Sequence, residues 1–344
     1  MKRRSNARQN AYPLRGVRAA FILGGVLLFV MYLALRLGSS AMDSASFFRG
    51  LFRMEGAETQ STILYALRLP RLLAGLLAGI GLSVSGVLLQ SVTNNALASP
   101  NIIGVNAGAG FCVMLCLTFY PAHVFALPPA AFLGAFITTL LIIGLSEKAG
   151  SSKNTIILAG IACTALFQAG ISFLSVLDPD ALVSYTAFSI GGFSGVTMKK
   201  LYLPAIFILL SLSLSLFFSG KINVLCLGDS IAASLGVRVR LLRILCLVLA
   251  SASAAAVVSY AGLLGFVGLI VPHIVRRLTG GSIGRQLVFA PLLGGILVLS
   301  ADIVSRILFA PTEIPVGILT ALTGAPFFLV LLLRRKEGEN ARIS

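Results

Sequence analysis

GFVGLIVPH at residues 265–273 is one of two stretches that decide the fold of this chain. The other runs from RLPR at 68–71 through GVLLQ at 86–90 to NIIGVNAGA at 101–109. Both are apolar and rich in glycine, yet proline, asparagine, arginine or histidine interrupts them. A single membrane anchor does not need such interruptions, whereas a protein that packs many membrane helices closely uses small residues for that purpose. The pattern therefore predicts a polytopic membrane protein.

Composition places the chain in the membrane class. Of its 344 residues, 57% are hydrophobic and only 11% are charged, which is about half the charged share of an ordinary soluble domain. The mean hydropathy of +0.98 leaves too little polar surface to cover a water-soluble globule. The net charge of +16 lies in short clusters between apolar runs, and no nucleic-acid-binding motif is present. This distribution fits membrane topology, so we expect a lipid bilayer and no nucleic acid as partner.

A membrane-crossing helix needs about 20 apolar residues. The sequence predicts an all-α integral membrane protein with about ten such helices, near 19–37, 64–92, 102–120, 127–146, 155–176, 201–218, 241–262, 269–278, 286–308 and 316–333. The run at 269–278 is too short to cross alone, so we predict a half-helix that other parts of the protein surround. Residues 1–18 are assigned to a basic cytoplasmic N-terminus, 19–335 to a single transmembrane domain, and 336–344 to a cytoplasmic tail.

Basic residues in short loops predict the orientation. Six of them precede the first apolar run and three follow the last, at Arg334, Arg335 and Lys336. Both termini are therefore expected in the cytoplasm, which ten crossings allow. Lys199 and Lys200 do not follow this map, because they fall on the outer side.

The first apolar run has two interpretations. It is either an uncleaved helix or a signal peptide with Ser39-Ser40-Ala41 as its small-residue cleavage site. We predict an uncleaved helix, because its loss would leave an odd number of spans and contradict the predicted orientation.

Residues with catalytic or metal-binding chemistry are scarce. The sequence has no Gly-x-x-x-x-Gly-Lys-Ser/Thr loop, so ATP hydrolysis by that route is not expected in this chain. His123 and His273 lie in different segments without neighbouring carboxylates. Cys112 and Cys116 share a helix face, which packing explains more simply than a pair of metal ligands. We predict no catalytic residue, no metal site and no cofactor.

Acidic residues are almost missing from the apolar runs. An ion-coupled secondary transporter usually keeps ionisable groups at mid-membrane despite their cost. The best candidate here is Asp302, but Arg306 follows it by one helical turn and predicts a local ion pair. The sequence therefore favours an external energy source over ion coupling. An integral membrane enzyme is the third class, and it lacks a catalytic constellation.

Residues 219–240 form a cytoplasmic segment between the sixth and seventh predicted spans. Within it, Asp229 is a candidate N-cap, Ala232 and Ala233 favour helix, and Gly236 is a candidate C-terminal residue. Ile231 and Leu235 share one face at a spacing of four residues. We predict a short helix whose apolar face fits a groove on a partner, and an ordinary amphipathic loop helix remains the alternative.

Many ordered motifs of this chain resemble the permease subunits of iron-siderophore and cobalamin ABC importers, the type II importer family. The resemblance runs from about residue 68 to residue 333. It includes the stretches quoted above, and also LAG at 158–160, GGF at 191–193, the segment 227–236, EIPVG at 313–317 and GAPFF at 324–328. It implies the type II permease fold, with ten helices in each subunit. The implied partners are two ATP-binding subunits, an extracytoplasmic substrate-binding protein, and a second permease in a homodimer or a similar heterodimer.

The resemblance also implies roles for particular residues. Arginines at the positions of Arg68, Arg71 and Arg306 meet acidic residues of the binding protein, with snorkelling or internal pairing as the structural alternative. The segment from Asp229 to Gly236 contacts the ATPase. The cytoplasmic end of the pathway narrows at Asn95, Leu97, Lys153 and Asn154, where loop capping and membrane topology are the alternative explanation.

One motif departs from the family. The family usually has Asn-Pro-Leu-Ala-x-Pro after the second helix, and here Ala96 replaces the first proline. The turn therefore has one fewer fixed φ angle, which puts the rigidity of the gate in doubt. The sequence thus predicts a ferric-siderophore permease of the cytoplasmic membrane, with a cobalamin or haem permease as the alternative within the family.

Overall fold

The structure is a computed structural model that describes residues 12–38, 43–101, 104–149, 153–310 and 312–340. Every regular element in these ranges is helical, and we number the helices in chain order. They are α1 (Tyr12–Arg36), α2 (Ser44–Leu51), α3 (Glu58–Thr93), α4 (Val105–Phe119), α5 (Leu127–Lys148), α6 (Lys153–Leu177), α7 (Pro179–Ile190), α8 (Met198–Phe217), α9 (Ser219–Leu225), α10 (Asp229–Ser234), α11 (Val239–Ala261), α12 (Val267–Thr279), α13 (Ile283–Ile307) and α14 (Val316–Asn340).

Each of the ten predicted spans corresponds to a helix. Seven described helices are long and apolar enough to cross a membrane, and α4 and the first part of α14 are shorter apolar helices. The tenth, α12, has 13 residues. At 1.5 Å per residue it is about 20 Å long, less than the hydrocarbon thickness of a bilayer. The predicted all-helical membrane architecture is confirmed.

Three helices, α2, α7 and α9, were not predicted, and α7 is the most informative. Its 12 residues follow Asp178, whose carboxylate accepts a hydrogen bond from the Ala181 N–H at 3.0 Å. Pro179 occupies the first helical position, where its missing N–H costs nothing. A search for runs of 20 apolar residues overlooks such a short helix, although its N-terminal signals are present in the sequence.

Glycines bring α3 close to its neighbours. A β-carbon added at Gly79 would lie 2.3 Å from the Gly294 carbonyl oxygen of α13. One added at Gly86 would lie 2.0 Å from the Gly268 carbonyl oxygen of α12. No side chain fits at either crossing. These contacts pack α3 tightly against α12 and α13, and the close packing predicted from the glycine-rich sequence is present.

The half-helix α12 is enclosed as the prediction required. Val267, Gly268, Leu269, Ile270, Val271 and Pro272 are buried. Phe266, just before the helix, has a φ of +64°, a conformation that non-glycine residues rarely adopt. A β-carbon on Gly324 would lie 2.3 Å from the Phe266 side chain, so α14 must have glycine there. The protein thus surrounds the short helix and fixes its start against α14.

The bundle has two ends that the sites below occupy. Arg68 lies in the first part of α3, and Ser91 lies 23 residues further along the same helix. That spacing corresponds to about 35 Å along the helix axis. The Cys226 thiol lies 3.9 Å from the Ser91 carbonyl oxygen, so the segment with α10 is at the far end of α3 from Arg68. We call these the arginine end and the coupling-segment end.

Candidate functional site

A cluster of charged side chains lies at the arginine end. The Arg71 guanidinium donates from Nε to Asp302 at 2.9 Å and from Nη1 to Glu313 at 2.7 Å. Asp302 also pairs with Arg306 at 3.1 Å, so the predicted local ion pair is present. With Arg68, these side chains form what we call the arginine cluster. It contains three guanidiniums and two carboxylates, which leaves one net positive charge.

Two members of the cluster hold the end of α1. Arg68 donates to the carbonyl oxygens of Leu35 at 2.8 Å and Arg36 at 2.7 Å. Arg306 donates to those of Leu37 at 2.8 Å and Ala34 at 3.2 Å. The last carbonyls of a helix have no partner within it, and a cation stabilises the negative end of its dipole. Arg68 and Arg306 therefore tie α1 to α3 and α13.

The three arginines predicted to dock a partner differ in accessibility. Arg68 and Arg306 are only 5% and 4% exposed. Arg71 is more accessible, with 14% of its side chain exposed, and it lines a cavity of about 390 Å³ with Glu313. A second cavity of about 270 Å³ is lined by all three arginines and Glu313. The Glu313 side chain is 28% exposed. The part of the cluster that a partner can reach directly is therefore the Arg71–Glu313 pair.

The predicted coupling segment forms the short helix α10, but its N-terminus differs from the prediction. Asp229 is the first helical residue, Gly228 occupies the cap position, and no side chain caps the helix. The Asp229 carboxylate instead accepts a hydrogen bond from Arg243 of α11 at 2.7 Å. The capping role predicted for Asp229 is wrong, because a cation from the next helix takes its carboxylate.

The C-terminus of α10 follows the prediction. Gly236 has a φ of +78°, which glycine adopts without a steric penalty. Its N–H bonds to the Ala233 carbonyl at 3.0 Å, and the Val237 N–H bonds to the Ala232 carbonyl at 3.0 Å. This pair of bonds is the Schellman motif. Gly236 therefore ends the helix.

Ile231 of α10 and Leu235, the residue that follows the helix, point away from the bundle. Ile231 is 48% exposed and Leu235 is 62% exposed, while Ala232 between them is fully buried. Ala233 is exposed as well. Ala232 packs the helix on the bundle, and the opposite side exposes an isoleucine and a leucine.

The residues predicted to form the gate follow α3 and begin α6. Asn94 ends α3 in the left-handed conformation, with a φ of +49°. The Asn95 side chain accepts a hydrogen bond from the Leu97 N–H at 2.9 Å, which closes a local turn without the family's proline. Helix α6 begins at Lys153, but the side chains of Lys153 and Asn154 lie outside the described residues.

A polar cavity that the sequence did not predict lies between α6, α7 and α14. Its volume is about 460 Å³. Its polar lining comes from three stretches of the chain, through Asn101 and Asn106, Thr164 and Gln168, and Tyr185 and Ser189. Thr164 and Gln168 lie one turn apart near the middle of α6. Two polar residues at that spacing within an apolar run were the sequence signal that could have predicted this cavity. The other members come from distant parts of the chain.

The structure supports packing as the role of the cysteine pair. A β-carbon added at Gly134 would lie 2.8 Å from the Cys112 sulfur, so Cys112 packs directly on α5. Among the described residues, no group of three or more His, Cys, Asp and Glu side chains is placed to hold a metal ion.

These features define a multi-pass helical membrane protein with a charged cluster at one end and an exposed apolar helix at the other. The model of the FecCD transport family matches residues 26–334, and the chain belongs to this family.

Known relatives cover nearly the whole chain. The Fe(3+)-citrate import system permease protein YfmE of Bacillus subtilis is 33% identical over 319 residues, which are 92% of this chain and 95% of YfmE. The hemin transport system permease protein HmuU of Yersinia pestis is 35% identical over 332 residues, with coverage of 93% and 98%. A solved structure of an inward-facing metal-chelate type ABC transporter has a TM-score of 0.83 and 32% identity, and covers 92% of this chain and 99% of that one.

Proposed function

We propose that this chain is the membrane-spanning permease subunit of an ATP-driven importer that carries a ferric siderophore across the cytoplasmic membrane. The observation that carries this proposal is the exposed apolar face of α10 on a transport-family chain without a nucleotide-binding loop. Ile231 and Leu235 are exposed, while Ala232 beside them packs on the bundle. They fit a groove on a separate ATPase, to which the permease responds mechanically.

The relatives support iron chelates as the cargo. They include import proteins for ferric citrate, ferric hydroxamates and achromobactin. Hemin is the cargo named for HmuU, at a similar level of identity, so a haem permease is the second candidate. The polar cavity beside the middle of α6 is a candidate part of the pathway, because its amide and hydroxyl groups offer hydrogen bonds without a charge that would trap the cargo.

The two ends fit opposite sides of the membrane. We assign the coupling-segment end to the cytoplasm, together with both chain termini, and the arginine end to the outer side. A net positive cluster suits the acidic surface of a substrate-binding protein. In this proposal Arg71 makes the direct contact, while buried Arg68 and Arg306 contribute their positive field and hold α1 in place.

The remaining partners follow from the same assignment. Two copies of this chain, or this chain and a similar permease, enclose the pathway between them, and two ATPases bind the coupling segments. Asn95, Leu97, Lys153 and Asn154 narrow the pathway at the cytoplasmic end.

An ion-coupled transporter is less well supported by the described residues. Asp302, the carboxylate buried deepest among the membrane helices, is paired with Arg71 and Arg306. A carboxylate engaged by two guanidiniums is not free to bind a transported ion.

Uptake by reconstituted vesicles tests the proposal. The permease is assembled with its ATPase and binding protein, and iron-55 is supplied as a ferric hydroxamate, as ferric citrate or in haem. We expect ATP-dependent accumulation of a ferric siderophore that persists when an uncoupler removes the proton gradient. Accumulation that needs the gradient and not ATP would refute the proposal, and uptake of haem alone would select the second candidate.

A further inference from the structure

A cavity of about 400 Å³ lies beside the coupling segment, between the end of α8 and the start of α11. Its apolar wall is formed by Phe218 and by Leu241 and Leu245, which lie one turn apart on α11. Lys221 and Arg238 line it with positive charge, and Gly236 forms part of its rim. Neither docking nor gating, as proposed above, uses this cavity.

The positive charge of the cavity has no internal counterion. Two acidic side chains are described at this end of the bundle, and each pairs with another cation: Asp229 with Arg243, and Glu147 with Arg240. Lys221 and Arg238 have no acidic partner among the described residues. The Lys221 ammonium lies 5.6 Å from the centre of the Phe218 ring, so it is held at the apolar wall.

The position of the cavity relates it to the membrane. Helix α8 is a candidate membrane span that ends at Phe217, and α11 is another that begins at Val239. A cavity between these two ends lies at the level where acyl chains meet headgroups. Leu241 is 58% exposed, so the apolar wall is open to the bilayer. A ligand that fills the cavity must have an alkyl part against the leucines and an anionic part at the two cations.

We propose that this cavity binds an anionic phospholipid of the adjacent leaflet. Its phosphate lies between Lys221 and Arg238, and one acyl chain follows Leu241 and Leu245. Basic pockets between membrane helices are suited to such headgroups. A free phosphate satisfies only the cations and leaves the apolar wall uncovered, so the geometry favours the lipid.

The site adjoins the element proposed to receive the ATPase. Gly236 ends α10 and also lines the cavity. A bound lipid supports the turn at Gly236, and anionic lipid therefore strengthens the coupling of ATPase to permease. This consequence depends on the proposed function, whereas binding of the lipid does not.

Quenching of a single tryptophan tests the site, because the natural chain contains none. Leu241→Trp places the reporter on the apolar wall. The variant is reconstituted in phosphatidylcholine with increasing fractions of phosphatidylglycerol, and one of the two lipids has brominated acyl chains. We expect phosphatidylglycerol to bind beside Trp roughly tenfold more strongly than phosphatidylcholine, because each nearby cation attracts an anionic headgroup.

Two double variants of the reporter protein identify the cations responsible. Lys221→Gln with Arg238→Gln should reduce the ratio of phosphatidylglycerol binding to phosphatidylcholine binding to nearly one. Lys199→Gln with Lys200→Gln is the matched control, since it removes the same charge from exposed residues at the start of α8 and should leave the preference unchanged. An equal loss in both double variants would overturn the site and indicate general surface attraction.

Two further measurements can also overturn the proposal. Equal quenching by the two brominated lipids in the parent reporter would show that the cavity does not select an anionic headgroup. Displacement of brominated phosphatidylglycerol by 50 mM inorganic phosphate, at constant ionic strength, would show an anion site that needs no lipid. The quenching is read without ATPase or cargo, so failure of the transport proposal leaves this result unaffected.

Discussion

The two ends of the bundle use charged and apolar residues in opposite ways. At the arginine end, the charges are turned inward and bind one another and the carbonyls of α1. At the coupling-segment end, the hydrophobic residues Ile231, in the six-residue helix α10, and Leu235, its C-cap, are exposed. The comparison teaches that most charges of one end have partners within the chain, while the apolar side chains of the short segment at the other end are left exposed.

Substitution of Asp302 should have the largest effect, which is on stability, because this carboxylate pairs with two arginines of the cluster. Asp302→Asn removes the carboxylate that holds Arg71 and Arg306. Breaking a buried ion pair from one side leaves buried positive charge and typically costs about 3–5 kcal/mol. We expect a clearly lower melting temperature in detergent. Asp180→Asn, at an exposed position in the first turn of α7, is the control, and equal melting of the two variants would show that the cluster does not stabilise the bundle.

Substitutions in the coupling segment should affect binding of the ATPase and not the stability of the permease. Leu235→Ala with Gly236→Val should leave the permease folded and able to bind its outer partner. Loss of the exposed leucine and of the left-handed turn should weaken ATPase association by about 2 kcal/mol, or roughly 30-fold. Co-purification of the ATPase and transport by vesicles measure the effect.

A matched pair of substitutions controls for the coupling variant. Leu203 of α8 is equally exposed, and Gly220 has open space around it and no positive φ. Leu203→Ala with Gly220→Val should therefore keep ATPase binding and transport. Normal transport by the coupling variant with a full complement of ATPase would exclude α10 as the coupling element.

The sequence predicted features that depend on neighbouring residues. The helical spans follow from apolar runs, and the end of α10 follows from Gly236, because both need only local chemistry. Asp229 shows the limit of this reasoning. Its cap was predicted from the next few residues, but Arg243 lies 14 positions away and takes the carboxylate.

Longer-range contacts were not predicted for the same reason. Arg68 reaches carbonyls 32 and 33 residues earlier in the chain, and no local pattern indicates that contact. The polar cavity likewise brings together polar residues from three distant stretches of the chain. Only packing of the helices determines which of the arginines remains accessible to a partner.

Substitutions in the Arg71–Glu313 pair should have a smaller effect, which is on the association rate of the binding protein. Arg71→Gln removes the most accessible cation of the cluster, whereas Glu313→Gln removes the carboxylate that competes for it. We expect association of the binding protein to be several-fold slower with Arg71→Gln and several-fold faster with Glu313→Gln, because charge mainly sets the encounter rate. Stopped-flow mixing at low salt measures both rates, and the difference should shrink at high salt. Unchanged rates in both variants would remove this pair from the interface.

The smallest effect concerns the gate, where the coupling-segment end is expected to move while the arginine end does not. With the five native cysteines replaced by serine, Leu97→Cys and Asn154→Cys are introduced together in the assembled transporter. Disulfide formation needs Cα atoms closer than about 7 Å. If ATP binding moves the gate, cross-linking of this pair should therefore change about twofold or more between the nucleotide-free and ATP-bound states.

A second pair, Ser305→Cys with Ile314→Cys, reports on the arginine end, where the Ile314 N–H bonds to the Ser305 carbonyl at 3.1 Å. Its cross-linking should be the same in both states. Equal cross-linking of the gate pair with and without ATP would contradict gating by these residues, and the turn closed by Asn95 would then be a static loop cap.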